Sequence, residues 1–422
     1  MQKEVEACLD RLNIGSENII EYSLYRVKKI SDALNLKINC PLIIVGGTNG
    51  KGSTCAFLSF IYKESGFKVG TFTSPHLISF NERICINTIP VNNQEIIAVL
   101  EKIGIIKKET RLTFFEIALI AAIDIFLRNK VDLIILEVGL GGRLDAVNVY
   151  DADVSIITNV DLDHQDYLGN TREDIAFEKA GIFRKGKFAI FGDDNPPKSL
   201  LDYANSIESK LLLYKKDFYF TSNRLQWSFI SSTKLLNDYK LYALPLPSLK
   251  GHCQLKNATC ALSAVAALND KLSVDIYSIK RGILNATNLG RFQILPGRPM
   301  IILDVAHNIH ASYELKRNLI SLPFAKKKIA IFSILKDKDI DGVLNCLKDE
   351  FDEWLISVLD TPRSIIIDDL IDSFKRNNIK NYKIFSTIKD AYIYAKEVII
   401  TEEDRIVAFG SFYVVAEVLD II

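Results

Sequence analysis

One segment near the amino terminus restricts the fold more than any other part of this 422-residue chain. Residues 41–54, PLIIVGGTNGKGST, join an apolar run typical of a buried strand to a glycine-rich turn and the start of a helix. Glycines let the backbone wrap closely around an anion with its N–H groups pointing inward, and a helix amino terminus favours negative charge. Because Lys51 adds a positive charge, the segment predicts a phosphate-binding loop in an α/β protein.

The loop departs from the strict phosphate-loop pattern GxxxxGK[ST]. Val45 stands where the first glycine belongs, and Gly52 follows Lys51 where the pattern has serine or threonine. Either Ser53 or Thr54 could offer a hydroxyl to a phosphate or to its metal. The alternative is a glycine-rich turn with an incidental lysine. The strand, the lysine and the Ser-Thr helix start together favour the phosphate site.

The rest of the chain alternates short apolar runs with helical patterns, which predicts α/β layers with a largely parallel sheet. Residues 214–244 instead read as short strands of an antiparallel appendage. Glycines and a proline mark 288–298 as a break, so we expect two domains, 1–290 and 291–422, with a cleft between them. The predicted buried strands are 41–45, 132–138, 154–158, 188–191, 300–305, 328–332, 354–358 and 406–409.

Two helices are predicted before the phosphate loop from apolar residues that recur every three or four positions. The first pattern is formed by Val5, Cys8, Leu9 and Leu12, and the second by Ile20, Leu24, Val27, Ile30 and Leu34.

Composition and charge exclude several classes of protein. Lys+Arg and Asp+Glu both number 52, so no basic excess directs the chain to nucleic acid or to acidic lipid. The 7 cysteines form no CxxC pair and no metal-ligand cluster, and an odd number in a chain this long is typical of reduced thiols in the cytoplasm. No run approaches the roughly 18 apolar residues of a membrane span. We therefore expect a cytoplasmic, monomeric protein with small-molecule partners and no nucleic acid or membrane partner.

Two polar positions follow predicted strands, where α/β sheets place their ligands. Glu137 ends the 132–138 strand and suits Mg²⁺, a hard cation that prefers carboxylate oxygens; the alternative is a solvated acid. Residues 139–146, GLGGRLDA, form a second glycine-rich loop. His164 lies among acids after the 154–158 strand, but histidine is an unusual magnesium ligand, so chemistry alone ranks it below Glu137.

Lys179 is the least expected residue of its helix. Residues 170–173, NTRE, have the spacing of a capping box, and the helix after them places Lys179 on one stripe with Ile175, Ile182 and Phe183. A charged amine is costly to bury, so this lysine must extend to solvent, find a partner or be chemically altered. The pattern leaves these alternatives open.

These motifs together resemble the folylpolyglutamate synthase branch of the Mur ligase superfamily. The resemblance rests on GTNGKGS at 47–53, GLGGRLDA at 139–146, the DHxxxLG spacing from Asp163, EKAGI at 178–182 and GxxQxxNA from Gly251. It also includes DVAHN at 304–308, where Ile309 replaces the usual proline, and it runs from Tyr22 to Phe412. The implied fold is a Mur-ligase-like, P-loop-containing parallel-sheet domain followed by a smaller Rossmann-like α/β domain.

The resemblance also implies ligands for individual residues. Nucleotide contacts would come from Thr48, Asn49, Gly50, Lys51, Gly52, Ser53, Asn257, Arg291 and Asp304. Two Mg²⁺ sites would involve Ser74, Glu137, His164 and a carbamylated Lys179. The pterin-bearing substrate would contact Thr113, Phe114, Phe115, Glu116, Leu144, Asp145 and Ala146. Lys179 would be catalytic, His307 is a candidate base for the incoming amine, and closure of the cleft would complete the ATP site.

The expected activity is ATP-dependent addition of L-glutamate to dihydropteroate and to reduced folates through an acyl phosphate. No nucleophile elbow, kinase catalytic loop or dinucleotide fingerprint occurs in the sequence, and this reaction needs none of them. The alternatives are a folylpolyglutamate synthase without the dihydropteroate activity, another Mur-type amino-acid ligase, and a nucleotide-binding regulator. Leu119, at a position that is usually threonine, is a departure of unknown effect.

Overall fold

The computed structural model describes residues 2–12, 23–398 and 401–422, so Ile20 and Tyr22 lie outside the described residues. The chain forms two compact units. The first contains Met1–Ser248 and Gln254–Thr287, and the second contains Leu249–Cys253 and Asn288–Ile422. The short segment 249–253 belongs with the second unit because the His252 N–H donates to Asn318 Oδ1 at 3.0 Å.

An eight-stranded sheet organises the first unit, in the order β4-β3-β2-β5-β1-β6-β7-β8. Its strands are β1 Leu42–Gly46, β2 Val69–Phe72, β3 Ile84–Ile86, β4 Ile89–Pro90, β5 Leu133–Glu137, β6 Val154–Ile157, β7 Phe188–Phe191 and β8 Lys210–Leu213. The six strands from β2 to β8 pair in parallel, and β3 and β4 add an antiparallel edge. All residues of β1 are buried, as its apolar sequence predicts for a strand covered on both faces.

A separate antiparallel sheet confirms the predicted appendage. It consists of β9 Phe218–Ser222, β10 Gln226–Ser231 and β11 Lys240–Pro245. The helices of the first unit are α1 Gln2–Arg11, α2 Leu24–Ala33, α3 Lys51–Glu64, α4 Asn93–Lys107, α5 Phe114–Arg128, α6 Gln165–Leu168, α7 Arg172–Ala180, α8 Lys198–Ser206, α9 Gln254–Ala267 and α10 Ile276–Asn285.

The two helices predicted before the phosphate loop correspond to α1 and α2. The four apolar residues of the first pattern are at most 7% exposed, and those of the second within the described range are buried with the exception of the partly exposed Leu24. The capping box of α7 lies one residue later than predicted. Thr171 and Asp174 form it, while Glu173 instead accepts hydrogen bonds from the N–H groups of Lys198 and Ser199 at the start of α8.

The second unit is built on a six-stranded sheet in the order β12-β13-β17-β14-β15-β16. Its strands are β12 Gln293–Leu295, β13 Met300–Asp304, β14 Lys328–Phe332, β15 Glu353–Ile356, β16 Tyr382–Ile384 and β17 Arg405–Phe409. Only β12 pairs antiparallel among them. The helices are α11 Ile309–Ile320, α12 Ile340–Leu347, α13 Ile367–Arg376, α14 Ile388–Val398 and α15 Phe412–Leu419.

Each unit therefore has the α/β architecture expected from the sequence, with an apolar core of its own. Phe332, Trp354, Phe374 and Phe409 pack ring against ring in the second core. Over the described residues, no helix combines the length and hydropathy needed to span a bilayer.

Candidate active site

The loop between β1 and α3 is held in shape by the segment that follows β6. The N–H of Asn49 donates to Asn159 Oδ1 at 2.9 Å, and Thr158 Oγ1 donates to the Asn49 carbonyl at 2.6 Å. Lys51 Nζ donates to the carbonyls of Gly47 at 3.0 Å and Thr48 at 3.1 Å. The parallel register of β1 with β6 brings the two segments together, and the loop is therefore shaped before any ligand arrives.

Asn257 on α9 approaches this loop at Gly50. Gly50 has a φ of 84°, and a Cβ there would lie 2.5 Å from Asn257 Oδ1, so both the left-handed backbone and the close approach require glycine. Asn257 Nδ2 donates to Gln254 Oε1 at 3.1 Å, as expected for two residues on one helix face. Gln254 Nε2 in turn lies 3.5 Å from Ser53 Oγ. The structure thus brings three of the predicted nucleotide residues, Gly50, Ser53 and Asn257, to one place.

Glu137, at the carboxyl end of β5, lies across from Val45 of β1 and is only 3% exposed. Its Oε2 accepts the N–H of Ser74 at 3.0 Å, so two of the predicted metal ligands are adjacent. His164 caps α6 with a φ of 52°, and its Nε2 lies 3.9 Å from Asp163 Oδ1. A carboxylate and a hydroxyl at this edge form a donor set that suits a hard divalent cation.

Lys179 is buried on α7, only 4% exposed, which excludes the extended conformation to solvent. Burial and then repulsion from Lys51 lower its pKa to about 7, against the attraction of Asp163 and Asp145. The amine therefore interacts electrostatically with one residue each of the phosphate loop, the second glycine loop and the segment that contains His164. A lysine with this pKa is partly neutral, and hence nucleophilic, near pH 7.

The second glycine loop packs directly on α7. A Cβ at Gly142 would lie 2.7 Å from the Glu178 carbonyl, so this glycine allows the loop to touch the backbone beside Lys179. Asp145 is buried and caps the short helical turn Ala146–Val149, where its Oδ1 accepts the Val147 N–H and its Oδ2 the Leu140 N–H. Burial raises the Asp145 pKa to about 6, against the lowering effect of these N–H groups.

The predicted substrate segment 113–116 begins α5, and two of its residues have structural partners. Thr113 and Glu116 form a capping box, and Arg26 Nη2 donates to Glu116 Oε1 at 2.9 Å. Phe114 and Phe115 are half-buried against the core, so their rings have partners in the protein as well as an open side.

Arg83 and His76 were not predicted as site residues, yet they border Phe114. The Arg83 guanidinium lies 4.9 Å from the Phe114 ring centroid, and its Nε donates to His76 Nδ1 at 2.7 Å. Burial and then Arg83 lower the His76 pKa to about 4, so this histidine is neutral at pH 7. A buried arginine is the signal that could have been noticed, but its contact with Phe114 spans 31 positions and has no local pattern.

The second unit has its own group of polar residues at the carboxyl end of β13. Asp304 accepts the N–H groups of Phe292 and Ala306, both at 2.8 Å, and burial raises its pKa to about 6 against the opposing effect of Arg291. The Arg291 guanidinium lies 5.2 Å from the Phe412 ring centroid. His307 Nδ1 donates to the Val305 carbonyl at 2.7 Å, which makes Nε2 the basic nitrogen of the neutral ring. The His307 ring centroid lies 6.1 Å from that of Phe412, so these three predicted residues lie close together.

Comparison with known proteins agrees with this arrangement. The family model of the Mur ligase middle domain matches residues 45–265, and that of the Mur ligase glutamate ligase domain matches 290–412. Fold and site thus define a nucleotide-dependent ligase of the Mur type.

Individual relatives narrow the class. The dihydrofolate synthase/folylpolyglutamate synthase of Buchnera aphidicola subsp. Schizaphis graminum is 38% identical, over 94% of this chain and 92% of the relative. A structure of Escherichia coli FolC in complex with DHPP and ADP has a TM-score of 0.91 and 35% identity, covering 99% of this chain and 97% of that one. The Yersinia pestis bifunctional enzyme with AMPPNP and Mn ion gives 0.90 and 34%, covering 99% and 97%. The chain belongs to the dihydrofolate synthase/folylpolyglutamate synthase family.

Proposed function

We propose that this chain uses ATP to join L-glutamate to dihydropteroate, giving dihydrofolate, and to reduced folates, giving folylpolyglutamates. The observation that supports this most strongly is a buried, partly neutral Lys179 within electrostatic reach of Lys51 in a preformed phosphate loop. The relatives named above act as dihydrofolate and folylpolyglutamate synthases, and the second family model is that of a glutamate ligase domain.

The proposed reaction has two steps. The acceptor carboxylate attacks the γ-phosphorus of ATP, and the bond to the β-phosphate oxygen breaks to give an acyl phosphate and ADP. The glutamate amine then attacks the acyl carbon, inorganic phosphate leaves and the amine loses a proton. The work of the protein is positioning, charge neutralisation and exclusion of water, for which the loop N–H groups and Lys51 are suited. His307 Nε2 is the proposed acceptor of the amine proton.

A divalent cation fits the residues present at the β5 edge. Within the part of the chain that the structure describes, no three His, Cys, Asp or Glu side chains form a metal-holding group. Mg²⁺ commonly binds through one or two carboxylates and completes its shell with water and substrate phosphates. Glu137 and Ser74, with His164, would hold the ion, which when bound would neutralise charge on the phosphates. We assign two such Mg²⁺ sites, as the resemblance implies.

The second site depends on carbamylation of Lys179. In this proposal the neutral Nζ attacks the carbon of CO₂, forms an N–C bond and loses a proton. The product is an anion, which the nearby Lys51 stabilises and which adds carboxylate oxygens for a cation. Protein equilibrated with ¹³C-bicarbonate is expected to show a carbamate carbon signal that Lys179→Ala lacks. A wild-type spectrum without that signal would exclude the modification.

The substrate proposal is tested by ADP release with ATP, Mg²⁺ and L-glutamate, in parallel with dihydropteroate and tetrahydrofolate. Turnover with both acceptors is expected. Turnover with tetrahydrofolate alone would leave a folylpolyglutamate synthase without the first activity. If ADP is released only with an amino acid and a nucleotide-linked peptide precursor, the chain is a different Mur-type ligase. If no acceptor supports ADP release, the chain is a nucleotide-binding regulator.

We also infer that the protein is cytoplasmic, because its cysteines are free thiols as the reducing cytoplasm keeps them, and that it is a monomer. Light scattering during gel filtration would measure the mass against the 47.6 kDa of one chain.

A further inference from the structure

A groove on the second unit lies at the amino ends of β14 and β17, away from Asp304. Its volume is about 350 Å³, and its lining includes Ile320, Phe324, Lys326, Lys328 and Arg405. The pairing register of β13 with β17 shows that the groove is separate from the proposed nucleotide-binding residues. Met300 pairs with Arg405 and Asp304 with Phe409, so Asp304 and Arg405 lie at opposite ends of the sheet, about 13 Å apart along the strands.

Arg405 is the unusual residue of this groove. Its side chain is only 4% exposed, although it begins the central strand β17. Its Nη2 donates to the Pro323 carbonyl at 2.6 Å, and its buried Nε has no acceptor among the described residues. Burial lowers its pKa, with no carboxylate opposing that effect. Arginine stays charged in proteins, so the cation is buried without a counterion.

Two acids, Glu350 and Asp352, also line the groove, and each has a partner within the protein. Asp352 accepts the Lys328 N–H at 2.7 Å, and Glu350 pairs with Lys316 at 3.3 Å. Glu353 pairs with Lys327 and Lys383 at 2.7 and 3.1 Å. Among the described residues Arg405 therefore has a carbonyl acceptor and no ion pair with a carboxylate, which is an expensive state for a buried guanidinium unless an external anion joins it.

We propose that this groove binds a small organic anion whose carboxylate or phosphate meets Arg405 and whose apolar body lies on Phe324 and Ile320. Because Nε is enclosed, the anion would be bound through the Nη groups of the guanidinium, and Lys326 adds positive charge at the rim. Phe324 is 84% exposed and Ile320 64%, so the lip of the groove presents apolar surface that a ligand body would cover.

The test is calorimetric titration of the full chain, saturated with ADP to occupy the phosphate loop, with benzoate, phenyl phosphate and benzyl alcohol. Saturable binding of at least one anion is expected, and benzyl alcohol is expected not to bind. Whichever anion binds more tightly identifies the headgroup as carboxylate or phosphate. Arg405→Gln is expected to weaken that binding at least about tenfold, because an ionic hydrogen-bonded pair is lost.

Phe324→Ser supplies a second variant, since a side chain this exposed is dispensable for folding, and it is expected to weaken binding severalfold. Lys396→Ala is the control, because it removes one exposed charge from the same unit outside the groove. The proposal is overturned if neither anion binds, if benzyl alcohol binds equally well, or if a folded Arg405→Gln binds the anion as tightly as Lys396→Ala does. If Arg405→Gln does not fold, Phe324→Ser and Lys326→Ala decide the question alone.

Discussion

Lys179 in the first unit and Arg405 in the second are both 4% exposed, but burial has different consequences for the two cations. The lysine can lose its proton, and its pKa falls to about 7. Arginine holds its proton under any ordinary condition, so Arg405 remains a cation with one carbonyl acceptor. Burial therefore makes the lysine reactive, whereas it leaves the arginine in need of an anion.

A third cation gives the reference state for this comparison. Arg26 is 15% exposed and has the carboxylate of Glu116 at 2.9 Å. Here both charges of the pair are largely removed from water and compensate each other. Lys179 is thus a buried cation that can become neutral, Arg405 lacks a counterion and Arg26 is paired. We expect a different response when each side chain is removed.

Removal of Lys179 is expected to have the largest effect. Lys179→Ala should lower turnover of ATP, glutamate and reduced folate by about a hundredfold to a thousandfold, because a group stabilising transferred charge is lost. Folding should be retained, since an uncompensated buried amine is removed. Steady-state kinetics measure the first effect and circular dichroism the second. Lys185→Ala, at a 77% exposed side chain, is the matched control. Near wild-type turnover in Lys179→Ala would refute the catalytic role.

Removal of the paired Arg26 should act on stability instead. Arg26→Met leaves Glu116 buried without its counterion, and breaking such a pair typically costs about 3–5 kcal/mol. Because Glu116 keeps the Thr113 N–H in its capping box, we expect the free energy of unfolding to fall by about 3 kcal/mol, at the lower end. Urea denaturation measures this. A loss below about 1 kcal/mol would show that the pair is effectively solvated.

The depressed pKa of Lys179 predicts how stability varies with pH in CO₂-free buffer. In the unfolded chain its pKa returns to about 10.4, so between about 7 and 10.4 the unfolded state binds more protons than the folded one. The free energy of unfolding should therefore rise with pH across this window, by up to about 1.4 kcal/mol per unit. Lys179→Met should lack this increment while other groups titrate as before. If the free energy of unfolding varies with pH in the same way in the wild type and in Lys179→Met, the pKa of Lys179 is not lowered in the folded state.

Local pattern was sufficient for the strands but not for the partners of buried charges. Apolar runs predicted β7 and β14 to the residue and the other six predicted buried strands within one or two residues at each end, because a strand buried on both faces must be continuously apolar. The prediction began one strand at residue 406, whereas β17 begins at Arg405. Six strands of two to four residues, β2, β3, β4, β8, β12 and β16, were not predicted; in β2 the pattern is also interrupted by Gly70.

The same limit applies at the site. Glycines, Lys51 and the acids after strands are local signals, and the described structure places Glu137 beside Ser74 as the strand ends require. The contact between Arg26 and Glu116 spans 90 positions, and that between Arg83 and Phe114 depends on how α5 packs. Only tertiary structure fixes such pairs, because nothing in the local sequence specifies which distant side chain approaches.

The smallest expected effect, and the one opposite in sign to Arg26, comes from Arg405. Arg405→Met deletes a cation without a counterion and one hydrogen bond to Pro323, and it leaves no carboxylate unpaired. The two terms oppose each other, so the free energy of unfolding should stay constant or rise by up to about 2 kcal/mol in phosphate-free buffer. Benzoate, if it occupies the groove, should stabilise the wild type and not the variant, since a ligand of the folded state adds to its stability. If Arg405→Met without ligand loses more than about 2 kcal/mol of the free energy of unfolding, the guanidinium is already stabilised by groups within the protein. Arg405 and Lys179 would then differ in their ability to lose a proton, but Arg405 would not need an external anion.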